Sequence, residues 1–200
     1  MVFIQKLEIT NFKSFGGTTI VRFSKGLNVI VGPNGAGKSN ILDAIVFALG
    51  ILSAKFLRMR VLSDIIFNPE VGKSKLKPAR SAIVKIYFDN SDRFFPVDSK
   101  TVIISRELHK DGRSIYRLNG HIITRNDLLD FLQSVGLSPD NYNIIPQGKI
   151  SEIVNMNPMQ IRGLIEEIAG ISSYDEKKEL AMKQLQRVEN NLSAIKAVLI

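Results

Sequence analysis

The sequence has no cysteine among its 200 residues. Disulfide bonds and thiolate metal sites are therefore excluded, and an intracellular location is the natural interpretation. The sequence also lacks any apolar run close to the roughly 20 residues that span a bilayer. The charged side chains of Lys6 and Glu8 come too early for the apolar core of a signal peptide. We therefore expect a cytoplasmic protein that has no membrane partner.

Acidic residues are scarcer than basic ones. The 19 Asp and Glu residues stand against 27 Lys and Arg, which gives a net charge of +8 and a pI near 9.7. Such an excess of positive charge favours a polyanionic partner, and nucleic acid is the obvious one. A generally basic, well-solvated surface is the alternative. The hydrophobic content of 44% suffices for one sizeable globular domain, with or without an appendage.

One short segment carries the clearest chemical signal. Its residues are Gly32, Pro33, Asn34, Gly35, Ala36, Gly37, Lys38, Ser39 and Asn40. The spacing Gly-x-x-x-x-Gly-Lys-Ser, between an apolar run and a helical pattern, is that of a phosphate-binding loop. Glycines allow main-chain N–H groups to surround an anion, and the helix that follows adds the positive end of its dipole. We expect Lys38 to reach the β- and γ-phosphates and the Ser39 hydroxyl to ligate Mg²⁺.

The elements around this loop predict a sheet and a helix. Residues 2–9 and 18–23 have strand patterns, with a turn expected at Gly16 and Gly17. Residues 27–31 form a continuous apolar run, which predicts a central buried strand. Residues 38–49 predict the helix behind the phosphate loop, ended by Gly50.

The middle of the chain predicts antiparallel strands followed by helices. Strands are expected at 82–89, 101–108 and 114–118, with hairpin turn pairs at 111–112 and 119–120. Thr124 and Asp127 form a capping box that opens a helix ending near Gly136. A short strand is expected at 142–145, and Asn157 and Pro158 begin a helix that runs to about residue 169. Together these elements predict an α/β fold, with a mixed sheet that includes an antiparallel lobe.

The last thirty residues have a different pattern, free of glycine and proline beyond Glu179. Apolar side chains recur at alternating spacings of four and three, at Ala181, Leu185, Val188, Leu192, Ile195 and Leu199. This heptad seam predicts a coiled coil over residues 173–200, opened by a second capping box at Ser173 and Glu176. An amphipathic helix packed on its own domain is the alternative. Because the seam continues to the last residue, we expect the chain to be part of a longer one.

These motifs, taken in order, resemble the N-terminal half of the ATPase head of structural maintenance of chromosomes (SMC) proteins, of the archaeal or bacterial condensin type. Besides the phosphate loop, the resemblance rests on the following segments: Asn11-Phe12-Lys13-Ser14-Phe15, Leu52-Ser53-Ala54-Lys55, Ser63-Asp64-Ile65-Ile66-Phe67, Asp111-Gly112-Arg113-Ser114, residues 142–148, and Ile168-Ala169-Gly170-Ile171 before the coil. It implies an ABC-type P-loop head lobe at 1–172 and the start of a coiled-coil arm at 173–200.

The resemblance also implies site residues for ATP and Mg²⁺. Gln147 matches the glutamine that ligates Mg²⁺ and orients the attacking water. Lys13 and Ser14 match an early loop that touches the phosphates. Ser63, Asp64 and Ile65 match the segment beside the adenine. Arg58 matches the arginine that couples the nucleotide site to DNA, although Arg60 is close enough to compete for that role.

In the SMC family the Walker B carboxylates and the signature motif come from the C-terminal half of the head. Residues 84–89 are the nearest Walker B look-alike here, but Lys85 interrupts the apolar run and Asn90 stands where a glutamate is needed. We therefore expect this chain alone to be inactive as an ATPase and to need that half for hydrolysis.

The implied partners are the C-terminal half of the same head, a second head engaged through ATP, a kleisin subunit and double-stranded DNA. DNA contacts at Lys55, Arg58 and Arg60 would be independent of base sequence and sensitive to salt. A nucleoid-associated role in chromosome condensation and segregation follows from the resemblance. Two alternatives remain open, a coiled-coil ATPase of double-strand-break repair and an ATP-gated structural clamp on DNA.

Overall fold

The computed structural model describes residues 3–54, 56–69, 77–137, 144–145, 156–168 and 181–190. Lys55, Gln147, the capping box at Ser173 and most of the strand predicted at 142–145 lie outside these residues. The chain forms two compact units, Met1–Ile144 and Ile145–Ile200, which are described separately.

The first unit is built on one antiparallel sheet. Its strands are β1 (Ile4–Phe12), β2 (Phe15–Arg22), β3 (Ser81–Asp89), β4 (Thr101–His109), β5 (Ser114–Leu118) and β6 (His121–Ile123), in the spatial order β2-β1-β3-β4-β5-β6. All neighbouring strands pair antiparallel. The predicted antiparallel lobe is confirmed, and β6 is an addition. It arises because Asn119 and Gly120 both take positive φ angles, 49° and 88°, as a tight two-residue hairpin requires.

The turn between β1 and β2 differs from the prediction. Gly16 and Gly17 lie inside β2, and the chain reverses instead at Lys13 and Ser14. Lys13 has a φ of 50°, and the Asn11 side chain accepts a hydrogen bond of 2.9 Å from the Gly17 N–H. This bond across the hairpin satisfies a main-chain donor. The turn therefore lies three residues closer to the N-terminus than predicted. The positions of the glycines alone do not reveal this shift.

Two helices of the first unit cover the sheet. Helix α1 (Lys38–Ala48) buries Val46 and Phe47 against β1, β3 and β4, where Leu7, Val84 and Ile104 are fully buried. Alternate side chains of β3 are buried, as expected of a strand with one face on the core. Helix α1 ends before Gly50, whose φ of 100° suits the predicted stop.

Helix α2 (Arg125–Ser134) begins with the predicted capping box. The Thr124 hydroxyl accepts the Asp127 N–H at 3.1 Å, and the Asp127 carboxylate accepts the Thr124 N–H at 3.0 Å. The Thr124 hydroxyl also donates to the Asp127 carboxylate at 2.7 Å. This bond and the bond from the Thr124 N–H lower the pKa of the Asp127 carboxyl, because both donors favour its charged form. Leu128 and Leu132 of this helix are fully buried.

The second unit contains helix α3 (Pro158–Ile168), whose start confirms the prediction. The Asn157 side chain accepts the Gln160 N–H, and the Gln160 side chain accepts the Asn157 N–H, each at 2.9 Å. Residues 181–190 are helical, with exposed side chains. The coiled coil and its start at residue 173 stay predictions. No helix in the described ranges is both long and apolar enough to cross a membrane.

The predicted central strand at 27–31 is wrong for the described structure. This segment has no regular secondary structure, and its apolar side chains are exposed, by 92% at Leu27, 72% at Val29 and 83% at Val31. A strand needs a neighbour to pair its main-chain N–H and C=O groups. The edge strands of the described sheet are β2 and β6, and neither pairs with this segment. The apolar composition of residues 27–31 therefore indicates burial, but the described residues do not bury this segment.

A buried arginine fixes the far end of helix α1. Arg106 on β4 is fully buried, and its guanidinium donates to the Phe47 carbonyl at 3.1 Å and the Ile51 carbonyl at 2.6 Å. The same group lies 4.3 Å from the Phe47 ring centroid and 4.9 Å from that of Tyr116. Burial lowers the pKa of Arg106 to about 10, which leaves it charged at neutral pH. A cation at the carboxyl end of a helix also interacts favourably with the negative end of the helix dipole.

We expect Arg106→Met to lower the free energy of unfolding by about 3 kcal/mol, because two buried carbonyls lose their donor. The control is Arg117→Met on β5, where the lost partner is the partly exposed Glu107 carboxylate, 3.1 Å away. That change should cost less than about 1 kcal/mol. Urea unfolding followed by circular dichroism measures both. Equal losses for the two variants would contradict the anchoring role of Arg106.

Candidate functional site

The glycine-rich segment forms an open loop ahead of helix α1. Gly35 and Gly37 take φ angles of 80° and 90°, which side chains with a Cβ rarely adopt. The loop is closed by a hydrogen bond from the Ala36 N–H to the Pro33 carbonyl at 3.3 Å, and Gly37 is the N-cap of the helix. Residues 32–36 are exposed, Asn34 among them, so an anion in solution can reach the main chain.

Lys38 is held inside the curve of this loop. Its ammonium donates to the carbonyls of Gly32 at 2.6 Å and Pro33 at 2.7 Å, and its aliphatic stem passes close to Gly32. Ser39 follows in the first turn of α1 and is exposed. The structure thus brings the Lys38 ammonium, the exposed Ser39 and the amino end of helix α1 to one place. These are the groups that bind a phosphate and its cation.

The turn between β1 and β2 lies against the phosphate loop. The Asn40 side-chain amide donates to the Ser14 hydroxyl at 2.8 Å. A Cβ added at Gly37 would lie 2.9 Å from the same hydroxyl oxygen. Of the residues predicted near the phosphates, Ser14 therefore lies next to the loop. Its contact with a nucleotide stays a prediction.

Lys13 belongs to a different set of contacts. Its side chain is only 4% exposed, and its ammonium donates at 2.5 Å to both the Asp43 carboxylate and the Leu57 carbonyl. Burial lowers the pKa of Lys13, although its hydrogen bond to the Asp43 carboxylate opposes that change. Here Lys13 binds helix α1 and the segment after it rather than the loop.

Asp43 also binds Arg58. The guanidinium of Arg58 donates to the same carboxylate oxygen that accepts Lys13. Asp43 has 8% of its side chain exposed, whereas Arg58 has 47% exposed and a φ of 59°. We call Lys13, Asp43 and Arg58 the Asp43 cluster. It combines two cations with one carboxylate and therefore keeps a positive charge.

Asp43 was missed by sequence reasoning, although a signal was present. It is flanked by apolar residues on both sides, at Ile41, Leu42, Ala44 and Ile45. A charge inside an apolar helical run is seldom buried without a partner. Its partners could not be read from the sequence, because Lys13 and Arg58 are thirty and fifteen positions away.

The segment predicted to lie beside the adenine is a short 3₁₀ helix, Leu62–Ile65, which includes Ser63. The Asp64 carboxylate accepts the Val61 N–H at 3.2 Å, and the Ile65 carbonyl accepts the Lys13 N–H at 2.6 Å. This segment therefore lies beside the β1–β2 turn. Arg60 is exposed, and Gln147, predicted for Mg²⁺ and water, lies outside the described residues.

The Walker B look-alike has a structural role. The Asp89 carboxylate accepts hydrogen bonds from the Gln5 amide at 3.0 Å and the Ser91 hydroxyl at 2.7 Å. Asn90 is buried and donates to the Val97 and Ser99 carbonyls at 3.1 and 2.8 Å. These contacts organise the connection between β3 and β4. The result agrees with the sequence argument that residues 84–89 are not a catalytic Walker B strand.

The described groups at the loop can bind a phosphate-bearing anion. They offer main-chain N–H groups, the Lys38 ammonium and the Ser39 hydroxyl. The nearby carboxylate of Asp43 is already bound by two cations and is a poor candidate for a general base.

We expect Gly37→Ala to distort this site more than Gly35→Ala. Both substitutions force a Cβ into a left-handed conformation, which costs about 1 kcal/mol. At Gly35 nothing lies within 4 Å of the new atom, whereas at Gly37 it would press on the Ser14 hydroxyl at 2.9 Å. Gly37→Ala should therefore cost roughly 2–3 kcal/mol in thermal or urea unfolding. Equal costs would show that the turn is not packed against the loop as described.

Comparison with known proteins shows the family of the chain. The profile of the family described as RecF/RecN/SMC N terminal domain matches residues 3–199. The chromosome partition protein Smc of Pyrococcus furiosus is 49% identical over 98% of this chain, and that of Halothermothrix orenii is 44% identical over 97%. The chain spans 16% of the length of each of these curated relatives.

Solved structures give the same result. A structure from work on ATP-driven dimerization and DNA-stimulated activation of SMC ATPases is 49% identical, with a TM-score of 0.77, over 83% of this chain and 99% of that one. The Pyrococcus furiosus Smc head with an extended coiled coil, bound to the C-terminal domain of ScpA, is 48% identical with a TM-score of 0.80. The match covers 99% of this chain and 49% of that one. The chain therefore belongs to the RecF/RecN/SMC N-terminal domain family and has the fold of the N-terminal part of an SMC head.

Proposed function

We propose that the chain is the ATP-binding half of an SMC head, and that it takes ATP with Mg²⁺ at the loop of residues 32–40. The observation that carries the proposal is the exposed loop, with the Lys38 ammonium held in its curve and Ser39 beside it at the start of α1. The loop amides and Lys38 would bind the β- and γ-phosphates, and the Ser39 hydroxyl would ligate the magnesium ion.

We expect Lys38→Ala to weaken ATP binding by at least about a hundredfold in the complete head, because the phosphates lose a charge-assisted hydrogen-bond partner. Lys110→Ala is the matched control, since it removes the same charge from the exposed turn after β4. Titration with a fluorescent ATP analogue measures both. Unchanged binding in Lys38→Ala would contradict the proposed function.

The second part of the proposal concerns the partner of the exposed segment at residues 27–31. Leu27, Val29 and Val31 alternate along an extended stretch, so a paired strand here would place them on one face. Burying side chains of this size stabilises a complex by about 1.5–3 kcal/mol each. We propose that the C-terminal half of the same head supplies a strand that pairs with this segment. That half would also supply the Walker B carboxylates and the signature motif.

We expect the main-chain amides of 27–31 to exchange rapidly in this chain and to gain at least about tenfold protection when the C-terminal half is added. Amides of β3 should be protected in both samples.

Val29→Asp should abolish the association, whereas Ile122→Asp should not, although both parent side chains are 72% exposed. ATP turnover should appear only in the completed head. Turnover by the isolated chain, sensitive to Lys38→Ala, would overturn this part of the proposal.

The remaining partners follow from the relatives. One similar structure is an Smc head bound to the winged-helix domain of ScpA, and another concerns dimerization driven by ATP. By analogy we propose a kleisin partner, an ATP-dependent dimer of heads and sequence-independent contact with double-stranded DNA. Engagement and release of two heads would then drive chromosome segregation and condensation, with Gln147 as the predicted ligand for Mg²⁺ and the attacking water.

An ATP-gated clamp on DNA is the second candidate. It shares the loop and the basic charge and differs only in whether the completed head hydrolyses ATP, so single-turnover assays of the completed head separate the two. The curated relatives described above are chromosome partition proteins, which favours the SMC interpretation over a repair ATPase.

A further inference from the structure

Asp43 lies one helical turn after Ser39, on the helix that begins at the phosphate loop. One turn corresponds to roughly 5.4 Å along the helix axis. The Asp43 carboxylate therefore lies within the reach of an arginine side chain from the level at which the phosphates are proposed to bind. Its two cationic partners arrive from separate segments, Lys13 from the β1–β2 turn and Arg58 from the segment that follows α1.

The two partners differ in how firmly they are held. The Lys13 ammonium is 4% exposed and has a second acceptor, the Leu57 carbonyl. Arg58 is 47% exposed, and its guanidinium forms an ion pair with Asp43. An ion pair whose arginine is half exposed contributes little to stability. Arg58 is thus the member of the Asp43 cluster that can leave Asp43 and bind another anion.

We propose that Asp43 is a positioning residue that competes with the polyphosphate of the nucleotide for Arg58, while it keeps Lys13 fixed in the interior. This inference rests on the proposed nucleotide site and adds Asp43 to it. A polyphosphate carries more charge than one carboxylate and binds guanidinium in a bidentate manner. Transfer of Arg58 would pull on the segment of residues 56–61. Loss of the carboxylate would free Arg58 and make the cluster more positive.

The first test needs no nucleotide. A dicarbonyl reagent modifies accessible arginines of the chain, and mass spectrometry gives the rate at Arg58 relative to the exposed Arg60. Asp43→Asn should raise this ratio by about fivefold, because the ion pair is lost. The control is Glu107→Gln on β4, which also removes a carboxylate shared by two basic groups, His109 of β4 and Arg117 of β5. An unchanged ratio in Asp43→Asn, or an equal rise in the control, would overturn the proposal.

Asp43→Asn leaves the Lys13 ammonium buried without its counter-ion and could unfold the protein. A second variant therefore tests the same ion pair without leaving a buried charge unpaired. In Lys13→Met/Asp43→Leu the buried pair is replaced by apolar side chains of similar volume, a change that proteins often tolerate. The Arg58 ratio should rise here as well. If both variants unfold cooperatively and neither raises the ratio, Asp43 does not hold Arg58.

The nucleotide arm uses the complete head and MgATP. Asp43→Asn should bind ATP about fivefold more tightly than the parent, and Asp43→Asn/Arg58→Gln should lose that gain. Weaker binding in Asp43→Asn would contradict the competition. Lys38→Ala tests the nucleotide site separately. If no variant binds ATP, the proposed function fails and the competition fails with it. A raised Arg58 ratio would then still support the positioning role of Asp43, and an unchanged one would still refute it.

Discussion

Helix α1 can carry the candidate site only because both its ends are fixed to the rest of the first unit. At its carboxyl end, the buried Arg106 guanidinium binds the Phe47 and Ile51 carbonyls and lies between two aromatic rings. Nearer its amino end, Asp43 binds Lys13 of the β1–β2 turn. A close-packed interior transmits small displacements, so these contacts set the position of the phosphate loop relative to the sheet. Charge buried in this way is costly and is retained here with several partners on each group.

The candidate site lies where the packed core of the first unit meets the exposed segment of residues 27–31. The antiparallel sheet and α1 form a closed core, with Leu7, Val84 and Phe47 fully buried. The segment immediately before the loop is exposed and unpaired within the described residues, although its side chains are apolar. The same loop thus connects a packed core to an apolar segment that has no pairing strand among the described residues. This arrangement gives a physical reason for the proposal that nucleotide chemistry requires the other half of the head.

Local signals predicted the parts of the fold that local interactions determine. The capping box at Thr124 and the N-cap at Asn157 both join residues three positions apart, and both helix starts were predicted. The turn at 119–120 and the end of α1 at Gly50 follow from positive φ angles that few residues adopt. The predictions failed where a distant partner decides. The Asn11 side chain moved the first turn away from Gly16 and Gly17, and the absence of a described neighbouring strand left residues 27–31 unpaired.

The sequence by itself indicated the family, the order of most elements and the ligand proposed above, because the phosphate loop, the caps and the alternating strands are all encoded over a few neighbouring residues. Only the tertiary structure decided that Lys13 and Arg58 meet on Asp43, that Ser14 lies against Gly37, and that Arg106 closes the end of α1. Each of these contacts joins residues that are far apart in the chain. Their energies depend on burial and on shared partners, which a linear pattern does not contain.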